Sequence, residues 1–368
     1  MTEGLPIGLV REVLKNSKGP ILDPFLGAGT VLTEASLMRK PALGIDVNPF
    51  MCFVSRVKTR SYNVSEVISN FRNLAEVADV SEKLDLRSKR LTRLRRYYTP
   101  KTLQKLESLR LKIGSIPDKK VRNLFLLCFA SVAVKTSKME KTPALRFRTE
   151  PFHHRGVFAE FREKVSDVII DLEQDDTRIH SDRISTLIKG NSRTLDFLDQ
   201  KFKLIITSPP YCNNVDFVRH SQLELLWLGF ATTKQDLGRI RHDAITSCEA
   251  MAHTNKDNEG VLPARLRRII EKVHKRSERK YYEVIQQYFR GMNTHLDAAF
   301  SVLANSGKAV YVIGDSWFQN TYLPTHTFFA RLARDAGFGH VRVRWLRRRF
   351  TGRPHGHKLS EYIIELRK

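Results

Sequence analysis

The stretch from Pro20 to Thr30 narrows the possible folds more than any other. Pro20-Ile21-Leu22 is a short apolar run, and it leads into Asp23-Pro24-Phe25-Leu26-Gly27-Ala28-Gly29-Thr30. Residues 31–38 then continue as a helix. A strand that turns through two glycines directly into a helix is the opening of a βα unit. Glycines let the backbone approach a ligand closely, and the helix start offers free amide hydrogens and a positive dipole end. The lysine of a phosphate-binding P-loop is absent, which disfavours a Walker NTPase. A second apolar run, Ala42-Leu43-Gly44-Ile45, ends in Asp46. A carboxylate about 20 residues after the glycine turn is placed to accept hydrogen bonds from ribose hydroxyls. The same residue type before Asn48-Pro49 would also serve as a helix cap.

A second strand end carries different chemistry. Phe202-Lys203-Leu204-Ile205-Ile206 reads as a buried strand, and Thr207-Ser208-Pro209-Pro210-Tyr211 follows it. Proline donates no amide hydrogen and restricts the residue before it, so the strand stops in a stiff loop. Open α/β sheets bind ligands at such carboxyl ends. The loop offers the Ser208 hydroxyl, the Pro209 carbonyl and the Tyr211 ring. The first two can accept from an exocyclic amine, and the third can stack on the ring that bears it.

Thr-Ser-Pro-Pro-Tyr resembles the catalytic motif of S-adenosylmethionine-dependent amino-methyltransferases, and Asp-Pro-Phe-Leu-Gly-Ala-Gly-Thr resembles their motif I. Serine in first place is similar to the cytosine-N4 branch, whereas Asp-Pro-Pro-Tyr is more usual for adenine-N6. The resemblance spans about residues 5–60 and 185–368. It implies an α/β fold, with a doubly wound, mostly parallel sheet of the class I methyltransferase (Rossmann-like) type and a C-terminal antiparallel hairpin. It implies S-adenosyl-L-methionine as cofactor, held by Asp23, Phe25, Gly27, Gly29 and Thr30, with Asp46 on the ribose. Family members usually have Gly-Asp where this chain has Gly190-Asn191, and the acid contacts the adenine amine. The Asn191 amide oxygen would take that place. The implied catalytic residues are Ser208, Pro209, Pro210 and Tyr211. Asn213-Asn214-Val215-Asp216-Phe217 and the helix-like 221–229 extend the match. The implied activity is methylation of cytosine N4 in duplex DNA, with the base flipped onto Tyr211 and a cognate restriction endonuclease as a possible partner. Adenine-N6 methylation, tRNA or rRNA base methylation and a non-catalytic nucleic-acid-binding role remain the alternatives. No general base is evident.

From about residue 65 to 180 glycines nearly vanish and apolar residues fall at helical spacing. The expected division is a catalytic domain of residues 1–64 and 181–368, with a helical insertion at 65–180 as the nucleic-acid-binding region. The formal net charge of +24 predicts a polyanionic partner. Arg93 and Arg96, beside Tyr97-Tyr98, suit phosphate contact with base stacking, and a solvated helix face is the plain alternative. Asn214 and Arg219 would order the catalytic loop or clamp the substrate strand, although Asp216, Arg219 and Glu224 read more simply as a local ion-pair set. Arg268 and Lys272 belong to a basic stretch from 265 to 280, expected as one helix with cations all round. Four scattered cysteines and the pair His153-His154 lack zinc-ligand spacing, so no metal is expected. No run is long and apolar enough for a membrane span, and the start lacks signal-peptide regions, which fits a cytoplasmic protein.

Overall fold

A computed structural model describes residues 4–77, 87–141, 145–150, 154–174, 185–213, 215–252, 262–349 and 359–368. The chain divides into two compact units. The first comprises Met1–Ser55, Arg183–Asp216 and Gly238–Lys368, and the second Arg56–Asp182 and Phe217–Leu237.

The first unit is built on a seven-stranded sheet. Its strands are β1 (Ile21–Asp23), β2 (Ala42–Asp46), β3 (Ser185–Lys189), β4 (Phe202–Thr207), β5 (Leu303–Gly314), β6 (His340–Arg349) and β7 (Leu359–Arg367), in the order β6-β7-β5-β4-β1-β2-β3. The β1–β2, β1–β4, β2–β3 and β4–β5 pairs are parallel. Strand β7 runs antiparallel to both β5 and β6. This is the mostly parallel α/β sheet with an antiparallel C-terminal pair. The chain winds outward from β1 to β3, then returns to β4 and winds the other way. The strand order therefore reverses between β1 and β4, where such sheets hold ligands.

Alternation along the strands explains why both faces are covered. Leu204, Ile206, Val310 and Val312 join Ile21 on one face, under helices α1 (Ile7–Lys15) and α2 (Thr30–Leu37). Ile205, Ala309, Tyr311 and Ile313 point to the other face. There they meet α3 (Ala264–Arg276), α4 (Tyr281–Val302) and α5 (Thr325–Asp335).

Three local features depart from the plain reading of the sequence. Ser306-Gly307 has the look of a helix stop, but α4 ends at Val302 and both residues lie in β5. Pairing jumps from Phe202↔Leu303 to Leu204↔Lys308, so β5 bulges there. A Cβ on Gly307 would sit 2.8 Å from the Ala304 carbonyl oxygen, so this tight fold needs glycine. Helix α3 ends at Arg276, short of Arg279 and Lys280. Its Leu266, Ile269, Ile270 and Val273 turn to the core, so the cations share only the remaining faces. A hairpin of Ser316–Phe318 and Thr321–Leu323 also escaped the sequence reading. Its two turn residues, Gln319 and Asn320, take left-handed φ values of 46° and 57° without the usual glycine.

The second unit is helical: Val64–Val77, Lys89–Leu94, Pro100–Gly114, Lys119–Lys135, Val157–Glu173 and Gln222–Trp227, with a small hairpin of Met139–Lys141 and Leu145–Phe147. The Ser88, Thr99 and Asp118 side chains cap three of these helices. Its core is aromatic, with Phe129 edge-on to Trp227 at 5.3 Å. Trp227 donates through Nε1 to the Tyr98 hydroxyl (2.9 Å), which donates to the Ala133 carbonyl (2.8 Å). No helix among the described residues is long and apolar enough to cross a membrane.

Candidate active site

Parallel strands bring their carboxyl ends to one edge of the sheet. Asp23 ends β1, Asp46 ends β2 and Thr207 ends β4. The Thr207 hydroxyl donates to Asp23 Oδ1 at 2.6 Å, across 184 residues of sequence. One hydrogen bond thus ties the glycine turn to the Ser-Pro-Pro-Tyr loop.

The turn is built from its own backbone. Leu26 N donates to the Ile45 carbonyl and Gly29 N to the Leu26 carbonyl, both at 2.9 Å. Gly27 and Gly29 adopt φ of 50° and 78°, a region that favours glycine. A Cβ on Gly29 would lie 2.3 Å from Ser55 Oγ, which itself donates to the Gly27 carbonyl at 3.2 Å. Gly29 is the N-cap of α2, and no side chain caps the helix there. Thr30 opens that helix.

Asp46 plays two parts. Its Oδ2 accepts from Gly27 N and its Oδ1 from Asn48 N, each at 2.8 Å. The cap of the following helix is instead Asn48, whose Oδ1 accepts from Phe50 N at 3.0 Å, and Asp46, itself only partly exposed, keeps further acceptor capacity on its two oxygens. Desolvation pushes Asp46 up to about 6 against those hydrogen bonds. Asp23 is pushed up to about 7 by burial, opposed by its bonds from Thr207 and Phe25 N.

Asn191 differs from expectation. Its Oδ1 already accepts from Arg193 N at 3.0 Å and Arg193 Nε at 3.3 Å. Both amide lone pairs are filled, so its oxygen meets an adenine amine only if Arg193 turns away. The neighbouring Ser192 carbonyl contacts the buried His295 Nδ1 at 2.8 Å, and His295 Nε2 contacts the Tyr311 hydroxyl at 3.0 Å. The Phe25 ring sits edge-on to His295 at 4.7 Å. Burial pulls His295 down to about 4, so it is neutral at pH 7. This histidine under both loops was not singled out by the sequence, where it is one residue in a long helix.

At the second loop Pro209 is buried, while Ser208 and Pro210 are partly exposed. Ser208 Oγ donates to the Val312 carbonyl (3.3 Å) or to the Tyr211 hydroxyl (3.5 Å). Its lone pairs remain for an incoming donor. The Tyr211 ring was expected as an open stacking face, but it is only 2% exposed. The Arg349 guanidinium lies over it at 4.9 Å, and Gly314 approaches so closely that a Cβ would be 2.7 Å from the ring. The Tyr211 hydroxyl donates to Glu361 Oε1 at 3.2 Å. Glu361 and Arg349 lie far along the sequence. The signal that could have found Glu361 is an acid at an inward position of the alternating strand Leu359-Ser360-Glu361-Tyr362-Ile363.

The remaining positions are scattered. Asn214 and His153 lie outside the described residues. Asp216 pairs with Arg241 at 2.9 Å, and Glu224 with Lys141 in the second unit, partners 25 and 83 residues away along the chain. Arg219 is exposed in the second unit. Arg93 is half-buried there and Arg96 exposed, 4.5 Å above the Tyr97 ring. Tyr97 and Tyr98 are core residues, which corrects their reading as base-stacking platforms. Arg268 and Lys272 are exposed on α3. Among the described residues no group of three or more His, Cys, Asp or Glu could hold a metal ion.

No family model matches the chain. The chain is similar to the Type II methyltransferase M.AvaI of Nostoc sp., with 25% identity over 90% of this chain and 75% of that protein. It is also similar to the Type II methyltransferase M.BsoBI of Geobacillus stearothermophilus, with 21% identity over 94% of this chain and 79% of the relative. Among solved structures it is similar to TrmN from Thermus thermophilus, at a TM-score of 0.32 and 8% identity, covering 98% of this chain and 48% of that one.

Proposed function

We propose that this chain is a DNA methyltransferase that moves the methyl group of S-adenosylmethionine to the N4 amine of cytosine in duplex DNA. The observation that carries the reading is the Thr207–Asp23 hydrogen bond, which joins the glycine turn to the amine-gripping loop at the point where the strand order reverses. The relatives named as methyltransferases support the reaction class, and the net charge of +24 supports a polyanionic substrate. A cognate restriction endonuclease belongs to the same reading.

The residues fit the cofactor. Gly27 leaves room where a side chain would stand, the start of α2 after Gly29 has no side-chain cap and offers amide hydrogens, and Asp46 can accept from ribose hydroxyls. The bound cofactor supplies a methyl group on a sulfonium, whose leaving group is neutral. The task left to the protein is to make an aromatic amine nucleophilic. Ser208 Oγ and the Pro209 carbonyl accept the two amine hydrogens, push electron density onto nitrogen and favour its pyramidal form. The helical insertion at 65–180, together with Arg219, Arg268 and Lys272, supplies contacts to the phosphate backbone.

The test compares wild type and Ser208→Ala for cofactor affinity by calorimetry and for transfer of labelled methyl to duplex DNA. We expect cofactor affinity within about twofold and transfer lowered about a hundredfold. Equal losses of both would contradict the role of Ser208. A wild type that neither binds the cofactor nor transfers a methyl would favour a non-catalytic binding protein.

A further inference from the structure

We infer that Glu361 is a positioning residue for methyl transfer: by accepting the Tyr211 phenol proton, it sets the direction of a hydrogen-bond chain that keeps the Ser208 oxygen available to the target amine. This rests on the proposed function above. Glu361 is fully buried on β7, in a position where its strand otherwise turns apolar residues inward. A buried carboxylate is costly unless its oxygens are engaged. Here both are. Oε2 accepts from Arg347 Nε at 2.5 Å, and Oε1 accepts from the Tyr211 hydroxyl at 3.2 Å.

An ionised carboxylate only accepts, so the single phenol proton of Tyr211 is committed to Glu361. The phenol oxygen then turns lone pairs toward Ser208 Oγ, 3.5 Å away. The serine proton has two acceptors on this side, the Tyr211 oxygen and the Val312 carbonyl at 3.3 Å. In either arrangement it points away from the remaining serine lone pairs, which can be satisfied only by a donor from outside the loop. An exocyclic amine is such a donor. If the phenol proton were turned round, Tyr211 would donate to Ser208 and fill one of those lone pairs. Arg349 above the ring and Gly314 against it hold the phenol where this chain can form. Glu361 takes up no proton in the reaction: the N–C bond forms as the S–C bond breaks, and the surplus amine proton leaves to water.

The experiment measures single-turnover methyl transfer and cofactor affinity for wild type, Tyr211→Phe, Glu361→Gln and the double variant. Glu361→Gln is expected to transfer about ten- to a hundredfold more slowly, with cofactor affinity within about twofold. Tyr211→Phe leaves the serine proton to the Val312 carbonyl, so it is expected to transfer faster than Glu361→Gln, and the double variant is expected to recover to the rate of Tyr211→Phe, because no phenol is left to donate to Ser208. Glu361→Gln at the wild-type rate, or a double variant slower than Glu361→Gln, would overturn the proposal. If Glu361→Gln fails to fold, Glu361→Asp shortens the reach to the phenol instead, and a wild-type rate there overturns it equally. An inactive wild type overturns the methyltransferase reading and the role of Glu361 with it. An active wild type with an unaffected Glu361→Gln overturns only the latter.

Discussion

Asp23 and Asp46 stand at the ends of neighbouring strands, and burial pushes them up to about 7 and about 6. A carboxyl raised above its ordinary value holds its proton better when folded. The associated stability is complete below the ordinary aspartate range, near pH 4, and is lost as pH rises through 6 to 7. Cofactor binding should follow the opposite sign, because ribose hydroxyls donate best to the ionised Asp46. Affinity for S-adenosylmethionine is expected to rise about tenfold between pH 5 and pH 7, while the urea midpoint falls across the same window. Asp46→Asn should flatten the affinity profile, and calorimetry at both pH values checks it. An affinity that is independent of pH in the wild type would remove Asp46 from the cofactor site. The place of Asp46 at the end of β2 was legible because its spacing from the glycine turn is set by one helix and one strand. The filled acceptor of Asn191 was not, since Arg193 reaches it only through the local turn.

At the scale of elements, the strand, turn and helix of residues 20–38 depend on two glycines that are not equivalent. Gly29 combines φ of 78° with a Cβ position 2.3 Å from Ser55 Oγ, whereas the nearest atom to a Cβ on Gly27 is 3.9 Å away. Gly29→Ala is expected to destabilise the protein by about 3 kcal/mol, from the backbone penalty plus displacement of helix Pro49–Lys58. Gly27→Ala should cost about 1 kcal/mol, the backbone penalty alone. Urea denaturation of the two variants checks the order, and equal costs would mean that Ser55 does not pack as described. Most strands and helices were legible from apolar period and punctuation. The bulge at residues 303–308 was not, because Ser306-Gly307 looks like a helix stop while the strand pairing already begins at Leu303. The 316–323 hairpin was hidden because Gln319-Asn320 does not resemble a glycine-containing turn.

For the whole molecule, the doubly wound sheet that the family resemblance implied is present, with the glycine turn after β1 and the Ser-Pro-Pro-Tyr loop after β4 on neighbouring strands. What the order of these motifs could not show is how the C-terminal strands reach back. Glu361 and Arg349 meet Tyr211 only through the antiparallel placement of β6 and β7 beside β5. The reading proposed above is that this edge of the sheet methylates the N4 amine of cytosine in duplex DNA. The most direct measurement offers labelled S-adenosylmethionine with duplex DNA and total RNA in parallel, then digests the products to nucleosides. Label is expected in N4-methylcytosine from DNA. Label in N6-methyladenine, or in RNA alone, would contradict it.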